Sequence, residues 1–599
     1  MNGPRKFLLI VASILTFTPL MFSSTYYISD SGGSVNCGAD GTQTTQAYSF
    51  SGYSVGDTLK LCGTITHSLT AQQNSISYVF ESNASLQIPN CGNGCIELNG
   101  KSGGLIDGGT PCGPGTPCNA GFGDYGLGAI GGTGSIRQMT NGTLPAAISN
   151  ITCSSGVATV TGPTAFGYSL PNEPPLTITG NSVSAYNGTW TVTSDNDGAN
   201  QFTFAVPACS GTGNGGKVGV LCPSGSYCSS QNGTNMIDGQ SSGGNGWEIR
   251  NLLIGSYYVR VSILDKPPLS EAQSIYLAGC SGCATLIHDN TLANAGLAYI
   301  PTSSGDTGLQ IYNNALLGGG DSMVIAGSNS SNNLSGAQIH DNYVADNGVW
   351  DTVGCAYHLD GIHIWGLNGA TMSNVNFYNN WLAGNFGGCQ TGAVFFEGNN
   401  QNYKIYNNIF TTTYKQNNNG IIDINGPGPF LVANNTIIGN NVSDVCFGVG
   451  SPAGSPTITF ENNIVGNCST NFLLQNSPTL LSWDYNAYEG GGWADPGPPW
   501  YGTLAQWQAA CKCDTHGQFY STESALQLNS DGIPQSGSPV INLGADLSGL
   551  NIASLNMDTS AGDTQTPVQR ISPWTIGASN AGGGNPPPAP PTGLSAQVQ

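Results

Sequence analysis

Charge is what this sequence has least of. Asp, Glu, Lys and Arg make up 8% of its 599 residues, against about 25% in an ordinary globular protein. Helices held by ion pairs one turn apart are therefore excluded as the main architecture. Positive charge is scarcer still: 13 Lys and Arg stand against 34 Asp and Glu, for a formal charge of −21. A surface this acidic repels phosphates instead of releasing their counterions, which excludes nucleic acid as a partner. Long apolar runs are missing beyond Phe22, so no membrane span is expected in the mature chain. Low charge does not mean global disorder here, because 39% of residues are hydrophobic.

The one apolar run, Phe7 to Phe22, follows Arg5 and Lys6 and ends at Ser23 and Ser24. That is the pattern of a secretory signal peptide over residues 1–24, with an uncleaved anchor as the alternative. The 18 cysteines, an even number, fit an oxidising compartment. A soluble, monomeric protein is expected, secreted or held on the cell surface.

A repeat dominates the middle of the chain. Ile287-His288-Asp289-Asn290, Ile311-Tyr312-Asn313-Asn314, Ile339-His340-Asp341-Asn342 and Phe377-Tyr378-Asn379-Asn380 share one pattern, continued at Asn408, Asn435, Asn463 and, more loosely, Asn486. These final Asn residues are 24, 28, 38, 28, 27, 28 and 23 residues apart, one solenoid coil plus loops of varying length. Alternation of period two predicts strands, and Asn tolerates the left-handed backbone of a sharp bend. Stacked in register, the Asn amides can hydrogen-bond from coil to coil. A second strand per coil ends in Gly: Ser274–Gly279, Met323–Gly327, Ile362–Gly366, Val394–Gly398, Ile421–Gly426 and Val445–Gly450. At least two strands per coil, rich in Gly and poor in charge, predict a parallel β-helix.

At this point the sequence resembles the pectate-lyase-like superfamily of right-handed parallel β-helices. Tyr26-Tyr27-Ile28-Ser29 and Gly56 to Leu61 look like its opening strands; Ser538 to Gly544, Arg570 and Trp574 to Ala578 look like its closing segment. The resemblance implies an all-β, right-handed parallel β-helix fold and is nearly silent on activity, because the superfamily includes lyases, hydrolases, epimerases, tailspikes and adhesins. Residues 25–144 are read as N-terminal cap and first coils, and 221–490 as the main β-helix. Between them, 145–220 carry four alternating runs expected to form an inserted antiparallel β module stapled by Cys153 and Cys209. Residues 491–579, with a helix over Leu504 to Cys511, close the solenoid, and 580–599 form a Gly/Pro-rich tail.

Other cysteines fall into near neighbours: 37 with 62, 91 with 95, 112 with 118, 222 with 228, 280 with 283, Cys355 with Cys389, Cys446 with Cys468, and 511 with 513. Spacing alone does not settle connectivity. The loop between Cys355 and Cys389 contains the segment richest in chemistry, His358 to Gly366. Aligning neighbouring strands by their terminal Gly stacks the outward residues into two rows: Val324, His363, Phe395, Asp423, and Ala326, Trp365, Glu397, Asn425. Asp321 and Asp360 stand where the strands begin. Aromatic faces beside paired carboxyl groups suit a saccharide site. Glu397 and Asp423 are the candidate acid and base of a hydrolase, about 8 Å apart on the diagonal. His363 and Asp360 complete the catalytic set, with Trp365, Phe395, Asn425 and Asp321 contacting sugar.

The family comparison narrows this. The Asn-Thr-Asp, Asp-Asp, Gly-His-Gly and Arg-Ile-Lys motifs of polygalacturonases are not reproduced, nor is the Tyr-Gly-Phe-Asp-Pro-His motif of alginate epimerases. A lyase of this superfamily needs a basic residue to take the proton beside a uronate carboxylate, and Lys415, then Lys404, are the candidates. No cofactor is firmly expected; calcium is the one considered, on the carboxylates of Asp321, Asp360 and Glu397. The chain is thus read as carbohydrate-active, a glycoside hydrolase before a lyase, against a non-catalytic, adhesin-like β-helix.

Overall fold

The computed structural model describes residues 23–88, 94–109, 129–132, 145–164, 166, 176–219, 227, 235–239, 246–256, 273–279, 282–293, 296–301, 306–347, 360–389, 391–413, 420–439, 445–450, 456–475, 478–494, 500–552, 570 and 572–579. The main body is a parallel β-helix built from three long sheets of 15, 13 and 13 strands, here sheets I, II and III. One coil shows the path. Asn376–Tyr378 lies in sheet I, Trp381–Asn385 in sheet II and Val394–Gly398 in sheet III; the short strand Asn400–Gln401 then leads back to sheet I at Tyr403–Tyr406. Coils therefore carry three long strands where the sequence predicts at least two. The extra one is hidden in the sequence because sheets I and II meet across the Asn pair itself.

That corner has a division of labour. The first residue of each pair takes the left-handed conformation, as in Asn313 (φ 54°), Asn379 (φ 54°), Asn407 (φ 55°) and Asn462 (φ 57°), with Asp289 and Asp341 in the same place. The second points inward and forms the ladder. Each side-chain Nδ2 from Asn290 to Asn463 donates to Oδ1 of the next coil's Asn at 2.9–3.2 Å. The other Nδ2 hydrogen reaches a backbone carbonyl of the preceding coil, as from Asn408 to Phe377. Asp514 ends the ladder, accepting from Asn486 and from the Tyr488 hydroxyl. Burial pushes its carboxyl up to about 7, against the hydrogen bonds from Tyr488 and Asn486.

Inside the cylinder, inward residues of all three sheets, such as Ile339, Leu382 and Phe396, form one continuous apolar core. Between Ala146 and Gly219, two antiparallel sheets of four and five strands form the inserted module, with its own core of residues such as Ile151, Phe202 and Val218. Disulfides join Cys37 to Cys62, Cys446 to Cys468 and Cys511 to Cys513, which the sequence places as near neighbours, and Cys153 to Cys209 across the inserted module. The helix Leu504–Cys511 forms over the expected residues, its first turn capped by the Thr503 side chain, and sets Trp507 into the end of the core.

Beyond it the chain does more than close the end. It runs back along the corner of sheets I and II, where Asn462 bonds both ways with Ala545 and Gly577 donates to the Asn462 carbonyl. Arg570 is buried there, donating to Asn407 Oδ1 and to the carbonyls of Thr575, Gly577 and Ala578. Among the described residues no helix is long and apolar enough to cross a membrane.

Candidate functional site

The outward face of sheet III carries the two rows in the register drawn from the sequence. Val324, His363, Phe395 and Asp423 are paired across neighbouring strands, and so are Ala326, Trp365, Glu397 and Asn425. Their alternate neighbours, including Ile364, Phe396 and Ile424, are buried in the core. Each outward side chain thus stands on a strand fixed from below by packing.

His363 is the centre of the site. Its Nε2 lies 3.2 Å from Glu397 Oε2, and its Nδ1 lies 3.3 Å from Asp360 Oδ2. Its ring stacks on Phe395 at 4.8 Å and meets Trp365 at a tilt, 6.2 Å away. Asp360 is a fixed anchor: its Oδ1 accepts from the amides of Thr391 and Gly392, and its own amide donates to Asp321 Oδ1 at 2.6 Å. The imidazole therefore links a wholly buried carboxylate to one whose side chain is 29% exposed, Glu397.

Asp423 departs from the expectation of a solvated row. It is 1% exposed, because a position that points outward on the strand is still covered when the surrounding chain packs over it. Its Oδ2 accepts from the Gly420 amide at 3.1 Å, while Oδ1 is buried with no hydrogen-bond partner. Burial pushes this carboxyl up to about 7, opposed by the Gly420 amide and assisted by the charge of Asp360. Gly448, next in the row, makes the room: a Cβ there would lie 2.6 Å from Asp423 Oδ2.

The remaining candidates sort by what they touch. Phe395, expected to contact sugar, is buried and supports the His363 ring instead. Trp365 is half-buried against Ala298, Val324 and Ala326. Asn425 is half-buried, its Oδ1 without a hydrogen-bond partner. Asp321 holds the Asp360 amide, so it positions the anchor. Lys404 is corrected outright: it lies on sheet I, paired with Asn376 and Leu431, and donates to the Asn551 carbonyl. Its place beside the groove in sequence does not survive a third sheet in each coil. Lys415, Cys355 and His358 lie outside the described residues; Cys389 is disulfide-bonded. Among the described residues no group of three or more His, Cys, Asp or Glu is arranged to hold a metal ion. The carboxylates of Asp321 and Asp360 are directed at backbone amides instead.

Sequence reasoning missed the supporting backbone: the amides of Thr391, Gly392 and Gly420 that orient Asp360 and Asp423. Nothing in the residue types marks them. It also missed an aromatic stack on the outer side of sheet I, where His288, Tyr312, His340, Tyr378 and Tyr406 lie face to face 4.5–5.1 Å apart. The signal was present, since these residues precede the Asn pairs. Their faces are turned to one another, which leaves edges rather than platforms for a ligand.

No family model matches the chain, and no curated protein does. Among solved structures, it is similar to XylC in complex with xylose, at 10% identity and a TM-score of 0.33, covering 78% of this chain and 84% of that one. It is also similar to tailspike gp61 of Pseudomonas phage phi297, at 11% identity and a TM-score of 0.18, covering 74% and 66%. Tailspike gp49 of Pseudomonas phage LKA1 matches at 12% identity and 0.19, covering 74% and 72%. Likenesses this distant carry no function across.

Proposed function

We propose that this is an exported protein that binds an extracellular polysaccharide along the outward face of sheet III and cleaves it by hydrolysis. One observation carries the reading: two carboxyl groups on diagonal positions of that face lie in opposite environments. Glu397 is partly exposed and bonded to His363, whereas Asp423 is buried with its carboxyl raised to about 7. A pair whose surroundings push its members apart supports an acid and a base at neutral pH. In this reading Asp423 delivers a proton to the leaving oxygen. Glu397 takes one from the attacking water, and His363, held by Asp360, keeps Glu397 oriented. Trp365 lies beside the sugar ring. Because Asp423 is 1% exposed, it can pass that proton only where substrate gains contact with it.

That burial favours a second reading, a β-helix that binds polysaccharide without cutting it. One experiment separates them. The purified mature protein is incubated with neutral and uronate polysaccharides, with and without calcium, following reducing ends and the ultraviolet absorbance of unsaturated products together. Reducing ends without absorbance, lost in Glu397→Gln, support hydrolysis. Absorbance transfers the case to a lyase, with Lys415 as the base to test. Binding with neither signal leaves the non-catalytic reading standing.

A further inference from the structure

The row that holds His363, Phe395 and Asp423 does not stop at Asp423. Strand pairing carries it on through Gly448, Leu473 and Ala494 to Trp500, on the last strand of sheet III. The final step is antiparallel, and cross-strand partners still share a face, so Trp500 belongs with Ala494 while Tyr501 belongs with Trp493. The observed packing agrees: Trp493 is in the core and Tyr501 packs against it. Trp500 is 64% exposed, and every other tryptophan among the described residues is buried or half-buried. Four strand spacings separate it from Asp423, about 19 Å at ~4.8 Å each.

We infer that Trp500 is a distal stacking platform for the same polysaccharide, so that the ligand is a neutral chain lying across the strands from His363 to the C-terminal end of sheet III. This rests on the reading that the sheet III face takes a saccharide. An exposed indole offers its flat apolar face to the C–H face of a pyranose ring. The intervening Gly448, Leu473 and Ala494 are no bulkier than leucine. Neutrality follows from charge. Neither this row nor its neighbour, Ala326, Trp365, Glu397 and Asn425, contains Lys or Arg, and the whole chain carries −21. A polyuronate laid along it would meet Glu397 with no Lys or Arg from either row to compensate.

The test uses Trp500→Ala in the full mature chain, a surface change that leaves the core intact. Affinity electrophoresis is run against xylan, mixed-linkage β-glucan and galactomannan, with polygalacturonate and alginate as charged comparators. The expected result is that a neutral polymer is retained and that Trp500→Ala weakens its binding about tenfold. The loss should shrink as the glycan is shortened to disaccharides, and the polymer should protect wild-type fluorescence from acrylamide quenching but not that of Trp500→Ala. Undiminished polymer affinity in the variant overturns the platform while leaving the sheet III reading intact. Preference for the charged polymers overturns the neutral ligand. Failure of every polymer to bind overturns both this inference and the function it rests on, whereas binding without turnover removes only catalysis.

Discussion

The asparagine corner and the sheet III face bury polar side chains in the same cylinder, to opposite ends. At the corner each inner Asn is matched: Asn408 donates to Phe377 and to Asn435, and its Oδ1 accepts from the amide and side chain of Asn380. On sheet III, Asp423 Oδ1 and Asn425 Oδ1 are left without hydrogen-bond partners, and a carboxyl is held near neutrality. A satisfied ladder repeats because each coil needs the same four bonds. Buried polar atoms without partners occur on sheet III at Asp423 and Asn425 and also at the corner, at Asn379 Oδ1 and both side-chain polar atoms of Asn434, each at a cost in stability that the ladder and core must cover. What distinguishes the sheet III face is therefore neither burial nor incomplete bonding alone, but that its unpartnered carboxyl oxygen, on Asp423, lies in the row of His363 and diagonal to Glu397.

The largest effect should come from breaking the ladder. Asn408→Ala strips partners from Phe377, Asn380 and Asn435 together, and unfolding in denaturant should show a loss of about 3–5 kcal/mol. The same substitution at Asn425, whose Oδ1 has no hydrogen-bond partner to lose, should cost far less; equal losses would dissolve the distinction. Next in size is Glu397→Gln, expected to lower turnover by about 10²–10⁴-fold with the circular dichroism spectrum and polymer binding unchanged.

Asp423 sharpens the comparison through pH. Its folded value of about 7 lies above its ordinary 3.8, so the folded state binds more protons than the unfolded state between those values. Its contribution to stability is therefore complete below about pH 4 and is lost as pH rises through about 7. Asp514 acts in the same window and direction, from the end of the ladder. Asp423→Asn should flatten part of the fall in stability measured from pH 4 to 8, by an order of magnitude of a few kcal/mol. Asp514→Asn should flatten another part. Only Asp423→Asn should also remove the alkaline limb of the activity profile, because only Asp423 lies on the sheet III face, where as the acid it must keep its proton.

Much of this was legible in the residues, and the failures have physical causes. Terminal Gly residues set the sheet III register correctly, from Val324 to Asp423, because alternation fixes facing and a one-residue slip would expose the core. The Asn pairs located the ladder because few other residues satisfy a buried bend. Facing is not exposure, however, which is why Asp423 and Phe395 were placed on the right side and given the wrong solvent. Nor does the repeat count the strand that starts directly after the bend: Tyr403–Tyr406 lies in sheet I and Ile409–Thr413, just past the Asn pair, in sheet II. The return of the C-terminal segment to Asn407 and Asn462 is a long-range contact with no local signature.

Lys404 gives the smallest effect and tests that strand count directly. A coil of two strands would put it near the groove as a lyase base; three sheets put it on another side of the cylinder, tethering Asn551. Lys404→Met should therefore leave turnover unchanged on any substrate the protein cleaves. The lost tether is an exposed hydrogen bond to a backbone carbonyl, so stability should fall by no more than about 0.5 kcal/mol. A large fall in activity with the fold intact would mean that the residue reaches the substrate, and the separation of scaffold corner from sheet III face would have to be redrawn.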